Sequence, residues 1–397
     1  MLTSRPPDDT SNYLQPLDVD SSSKKREWLN RDSLRLGIRT SFFPWLATRL
    51  VVIPVVYMAR EIATKGHLPA SIASVARQGL FSWDAGWYES IAVHGYGFLG
   101  YSSLRFFPLF PLIVKIFSFV LLGNVRLSLL AVANLSDLCG LVLLVVLVSR
   151  ETGDNGLAAR SAWLMSLAPA AFTYVMGYAE ATLLVFTVAT FIALRSHRWW
   201  WTMALGILAG LTRPIGILLA IPVLMEAFRG LWEADIRERI ARIAAIAGGP
   251  IGVAGYLSFL GLYYNHLLAP IHIEQRHRGG FTDPLVTLYH EASMLISGHH
   301  LEEALHLPWA LLAVALIVVA FWKLPSPYGA FALAVILVAL SGHNIDSFER
   351  YAMSAFPLII AGAFLTAGPR IERLVLSGLA ASLVAYSTLA FLHLYVP

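Results

Sequence analysis

The sequence predicts an all-α fold, a polytopic transmembrane helical bundle, on three observations. Of 397 residues, 57% are hydrophobic and only 14% charged, with a mean hydropathy of +0.64; soluble domains are nearer a quarter charged. Apolar stretches approaching the roughly 20 residues that a span requires recur from residue 41 onward. The net charge of +4 is dispersed over loops, which points to orientation in a lipid bilayer and away from nucleic acid.

In chain order, residues 1–40 are polar, with Pro6-Pro7, Asp8 and Asp9, then Lys24-Lys25-Arg26. With no apolar core near its start, this stretch reads as a flexible cytoplasmic tail and not a signal peptide. Lys24 to Arg39 suits anionic headgroups or plain solvent. Residues 41–397 form one transmembrane domain. About eleven spans are expected, at 41–60, 126–148, 158–176, 178–195, 199–212, 214–228, 244–264, 308–323, 328–342, 351–367 and 373–394. Arg213-Pro214 divides what would otherwise be one overlong helix. FFPLFPLIVKIF, with two prolines and Lys115, suits a re-entrant or interfacial element over 106–122. That assignment places Arg150, Arg160, Arg195, Arg198, Arg237, Arg239, Arg242, Lys323, Arg370 and Arg373 inside, as the positive-inside rule requires; a crossing there would put them all outside. Cys139, the single cysteine, lies in an apolar segment and reads as a packing residue.

This topology gives the outer face the loop 61–105, the hairpin 169–180, the break at 212–214, the loop 265–307 and the segment 342–350. Their polar residues converge on one membrane face, as a site at an interface requires. In FSWDAGWYES (81–90), aromatic rings beginning with Trp83 surround Asp84. Rings pack on sugars or lipid heads, and a carboxylate accepts a proton from an attacking hydroxyl; the bland alternative for Asp84 is a helix cap. Glu89 either orients an acceptor or faces water. Arg213, at a helix break, offers a planar fork for phosphate oxygens, or pairs with Glu180. Arg350 is a second such cation, and Arg276 and Arg278 in EQRHRGG are further ones. Glu180 opens a span, where a carboxylate also favours the helix N-terminus; Tyr178 is placed to stack on a sugar. Asn134 and Asp137 read as an internal hydrogen-bonded pair, and Arg49 and Lys115 as residues reaching for headgroups. Seven of twelve histidines (His266, His272, His277, His290, His299, His300 and His306) lie in 265–307, without zinc-site spacing, so no metal is expected there. Trp199-Trp200-Trp201 read as interfacial anchors. A lipid or solute transporter, the alternative class, would carry paired repeats and midplane breaks; a homologue serving as an inactive subunit is a third.

Five pieces, FSWDAGWYESIAVHGYG (81–97), RFFPLFPL (105–112), LAPAAFTYVMGYAEATL (167–183), GLTRPIG (210–216) and ERYAMSAFPL (349–358), together resemble, in order and spacing, the PIG-V-like mannosyltransferases of the GT-C superfamily. Phe110 and Ala179 depart from that family's tyrosine and threonine, and neither change removes a charge. The resemblance implies an inverting transfer of mannose, or another sugar, from a polyprenyl-phosphate carrier to a glycolipid, polysaccharide or protein acceptor. It implies Asp84 as base, with Trp83, Glu89, Arg105, Tyr178, Glu180, Arg213, Arg350 and Tyr351 binding substrate; Arg276 joins them as a candidate from its loop alone. No cofactor is implied, although some GT-C enzymes use a divalent cation held by paired acidic residues. Compact loops look more like bacterial members, with the site on the extracytoplasmic face of the plasma membrane; a eukaryotic member would sit in the endoplasmic reticulum.

Overall fold

The computed structural model describes residues 29–66, 69–297 and 305–397. Most of the expected tail, residues 1–28, lies outside them, as do His299 and His300. The helices are α1 (Arg31–Lys65), α2 (Ala70–Gln78), α3 (Asp84–His94), α4 (Leu109–Val120), α5 (Val125–Thr152), α6 (Asn155–Leu167), α7 (Glu180–Arg195), α8 (Trp199–Thr212) and α9 (Ala220–Phe228). They continue with α10 (Ile236–Ile246), α11 (Gly248–Tyr264), α12 (Ala269–His277), α13 (Pro284–Ser297), α14 (Leu307–Lys323), α15 (Ser326–Leu340), α16 (Phe348–Ser354), α17 (Phe356–Leu365) and α18 (Pro369–Phe391). No strand is formed among the described residues, so the all-α expectation holds. The expected boundary at residue 40 moves: Asn30 and Ser33 form a reciprocal capping box, and the first helix starts at Arg31.

By length and composition, α1, α5 and α18 can cross a membrane. Two bent pairs also qualify, α10–α11 with a 49° bend and α16–α17 with an 86° bend. This is an integral membrane protein, and its outer helix faces carry the exposed Leu50, Phe119, Leu262 and Trp322. Helices stand at the other expected spans, but prolines shorten them. The expected span 158–176 stops at Leu167 because Ala168 precedes Pro169 and is pushed to extended geometry (ψ 149°). Arg213 before Pro214 is extended for the same reason (φ −155°, ψ 151°). α4 has 12 residues, about 18 Å at 1.5 Å per residue, too short for a hydrocarbon core of about 30 Å. The loops expected at 61–105 and 265–307 are largely helical, built of α2 and α3 and of α12 and α13.

One apolar core joins the bundle, with α5 packed on α1, α6 and α7, and α8 on α7 and α11. The α8–α11 contact is glycine-made: a Cβ on Gly210 would come within 2.4 Å of the Gly249 carbonyl, and one on Gly252 within 2.2 Å of that of Ile207. That close approach fixes where α8 ends and Arg213 begins.

Arg49 does not reach for headgroups. It is buried, donates from Nη1 to Asp137 at 2.6 Å and from Nε to Asn134 Oδ1 at 2.9 Å, and lies over the Trp45 ring. The expected Asn134–Asp137 pair is therefore a pair of ligands for one guanidinium, because a lone charge at this depth would be far costlier than a satisfied one. Asn134 Nδ2 also donates to the Val175 carbonyl at 3.1 Å, tying the irregular segment before Tyr178 to α5. Cys139, expected to pack, is exposed on α5. The tryptophan run divides: Trp199 is buried under Arg242, while Trp200 and Trp201 are exposed.

Asp137→Leu strands Arg49 and is expected to destabilise the fold by about 3–5 kcal/mol, whereas Arg49→Met with Asp137→Leu recovers most of the loss. Thermal unfolding in detergent compares the two; a double variant no better than the single one refutes the pairing.

Candidate active site

Asp84 is the first residue of α3, and Trp83 before it has φ +59°. A bulky residue in that region costs about 1–3 kcal/mol unless its surroundings hold it there. They do: the Trp83 indole N–H donates to the Ala390 carbonyl at 3.1 Å, and its ring lies 4.8 Å from that of His393. The Asp84 amide donates to the Tyr178 hydroxyl at 3.2 Å. Its carboxylate does not cap its own helix. Instead Oδ2 accepts from Arg350 Nη1 at 2.6 Å, and Oδ1 faces Arg105 Nη2 at 3.5 Å.

The network extends through Glu180, buried at the first position of α7, which pairs with Arg213 and lies 3.3 Å from Arg350 Nε. Tyr351 gathers three guanidinium groups over its ring, those of Arg278, Arg213 and Arg350 at 4.5, 5.5 and 5.7 Å. Its hydroxyl donates to Glu274 at 3.4 Å, which also holds Arg278 Nε at 2.9 Å. Above these groups lies a cavity of about 740 Å³, reached by Trp83, Asp84, Arg105, Tyr178, Arg213, Arg278, Arg350 and Tyr351. Phe106, Phe107, Ile215, Ile217, Leu218, Ile271 and Phe281 line its apolar side.

Most of the residues expected from the sequence meet here, and two do not. Glu89 pairs with Arg126 at 2.8 Å and does not line the cavity. Five residues along a helix is a turn of about 140° from Asp84, so both carboxylates cannot face one cavity. Arg276 is exposed outside it, while Arg278 enters it and donates to the carbonyls of Ala339 and Asp346 at 3.3 and 3.1 Å. Glu274, Asp346 and Ser347 line the cavity without having been singled out; the Glu274–Arg278 spacing of four on a helix was a legible signal for the first. Among the described residues no group of three His, Cys, Asp or Glu is placed to hold a metal ion.

Burial alone would push the Asp84 carboxyl up. The charges of Arg350 and Arg105, the hydrogen bond from Arg350 and the more distant Arg213 outweigh it and hold the carboxyl below its usual range. Asp84 is thus an anion at neutral pH, and Arg105, Arg213 and Arg350 are shared between Asp84 and Glu180.

Clustered arginines, the ionised Asp84 and an apolar wall thus share one cavity of a helical membrane protein. Residues 58–248, just under half of the chain, match the family model for the mannosyltransferase (PIG-V) family, so the stretch that carries four of the five motifs is PIG-V-like. No curated protein matches the sequence. Among solved structures, the archaeal oligosaccharyltransferase AglB from Archaeoglobus fulgidus, in complex with an inhibitory peptide and a dolichol-phosphate, is similar with a TM-score of 0.39 and 13% identity. The similarity covers 87% of this chain and 56% of that one.

Because its folded pKa is depressed, the stability that Asp84 contributes is present above the ordinary carboxyl value of about 3.9 and is lost as pH falls through the lower folded value. Asp84→Asn is expected to cost about 3 kcal/mol at neutral pH, and the gap to wild type should close in acid. Unfolding midpoints followed down to strongly acidic pH measure it; a gap independent of pH refutes the ion-pair account.

Proposed function

We propose that the protein transfers mannose from a polyprenyl-phosphate carrier to a hydroxyl acceptor on a glycolipid, polysaccharide or protein. The observation that carries this reading is the ionised Asp84 held among Arg105, Arg213 and Arg350 beside an apolar wall, within a stretch that matches a mannosyltransferase family. Residues 41–397 act as the catalytic unit. Basic residues gather at the opposite helix ends, such as Arg195 with Glu151 and Glu226 and Arg242 with Glu238; the positive-inside rule favours the cytoplasm for them, which supports an extracytoplasmic cavity.

In this reaction the acceptor oxygen attacks the anomeric carbon and gives its proton to Asp84. The bond from that carbon to the phosphate oxygen breaks, and its electron pair leaves with the polyprenyl phosphate. Base and leaving group on opposite faces of the sugar invert the anomeric centre. The guanidinium groups neutralise charge that grows on the leaving phosphate, and the apolar residues face the prenyl chain. Tyr351 presents aromatic surface to the sugar, while Tyr178, fully buried, holds the Asp84 amide.

Asp84→Asn is expected to lower transfer by about 10²–10⁴-fold while leaving lipid binding intact. Membranes given labelled polyprenyl-phosphate mannose and a total extract test this; retained turnover removes Asp84 as the base, and no turnover by wild type removes mannose as the sugar. Arg213→Ala should raise the KM for the donor by about tenfold or more, the worth of one charge-assisted hydrogen bond. An unchanged KM takes Arg213 out of the phosphate site.

A further inference from the structure

Beside the cavity, the residue next to Arg350 belongs to a second buried polar cluster. Glu349 Oε2 accepts from the Tyr395 hydroxyl at 2.6 Å and faces His306 Nδ1 at 2.7 Å, and all three residues are buried. His306 Nε2 lies 4.0 Å from Asp346, which lines the cavity. Around them Trp309 donates to Tyr386 at 2.8 Å, and Tyr386 donates to the Leu305 carbonyl at 2.9 Å. The cluster thus ties the start of α14 and the segment after α18 to α16, the short helix that carries Arg350.

A buried carboxylate must be neutralised or it will take a proton or capture a nearby cation. Here the nearest cation in sequence is Arg350, which the cavity needs for Asp84 and Glu180. We propose that His306, as an imidazolium, and Tyr395 are positioning residues: they hold Glu349 through its Oε2, leave Arg350 committed to the cavity, and make its grip on a phosphate depend on the His306 proton. The inference rests on the cavity's proposed role as a phosphate-lipid site. Geometry supplies the case, and electrostatics agree. Burial works against the charge of His306, but Glu349, its hydrogen bond, Asp346 and Glu291 outweigh that and raise its pKa above the ordinary value. The groups facing the imidazole are therefore Glu349, Asp346 and Glu291, with the Tyr395 ring tilted beside it at 5.1 Å. A raised folded pKa means that the protonated arrangement persists to higher pH than in a free imidazole and is lost as pH rises through the folded value.

The test is binding of a polyprenyl monophosphate by the full-length protein in nanodiscs from about pH 6 to 9, for wild type, His306→Gln and Tyr395→Phe. Comparing slopes between proteins cancels the ionisation of the lipid itself. Wild-type Kd is expected to rise by about tenfold more across this range than that of His306→Gln, which binds weakly throughout. Tyr395→Phe should bind more weakly at every pH and keep the wild-type slope. Parallel slopes for wild type and His306→Gln overturn the proposal, even where His306→Gln has a lower unfolding midpoint. If His306→Gln does not fold, a Tyr395→Phe affinity equal to wild type overturns it. Binding with the expected slope but without sugar transfer refutes the transfer reading alone. Transfer by wild type with parallel binding slopes refutes this inference alone.

Discussion

The Arg350 guanidinium is the group on which the site depends. It is buried, and a buried guanidinium persists only where carboxylates and hydrogen bonds replace its water. Asp84 and Glu180 do so, from 266 residues away in one case and from the start of α7 in the other. Glu180 then needs Arg213, and Asp84 is faced by Arg105. One requirement for neutrality thereby brings together α3, the turn before α4, the start of α7, the end of α8 and α16. The cavity is what remains on the open side of that assembly.

Ion pairs formed around Asp84 without ligand have a chemical consequence for the proposed reaction. An aspartate held by two arginines is a poor proton acceptor, because the same charges that keep it ionised keep its basicity low. A phosphate entering the cavity competes for those guanidinium groups. As they turn to the phosphate, the carboxylate loses the partners that depress its pKa, and its basicity rises toward what proton abstraction needs. Binding of the anion and activation of the base become one event, and an empty site holds its base quiet.

The sequence made residue types legible and left their neighbours unread. Asp84, Arg213 and Arg350 stand out because each interrupts apolar sequence beside a proline, a glycine or an aromatic cluster. Glu89 and Arg276 stand out for the same reason, and helical geometry turns both away. The run holding Arg276 and Arg278 reads as a loop, where either arginine serves. In fact α12 runs through His277, and of the two arginines Arg278 alone lines the cavity. Arg49 was misread because its partner Asp137 is 88 residues distant, and periodicity carries no information about which two helices touch. The helix breaks fared better, since the geometry of a residue before proline is local.

Those breaks explain where the chemistry sits. Asp84 and Glu180 are the first residues of their helices, Arg213 and Arg278 follow the ends of theirs, and Arg350 lies in a single short helix set off by an 86° bend before Pro357. In a bilayer the backbone must satisfy itself, so a continuous span has no free end to present. Polar chemistry therefore requires interruptions, and they are tolerated only where they meet one another over water or a polar ligand. The prolines at 169 and 214 each follow a residue held in extended geometry and so end a helix, and Pro357 sits in the first turn of α17. A bundle assembled from such shortened helices gives up spans of full length, and what it gains is a ring of helix ends around one cavity.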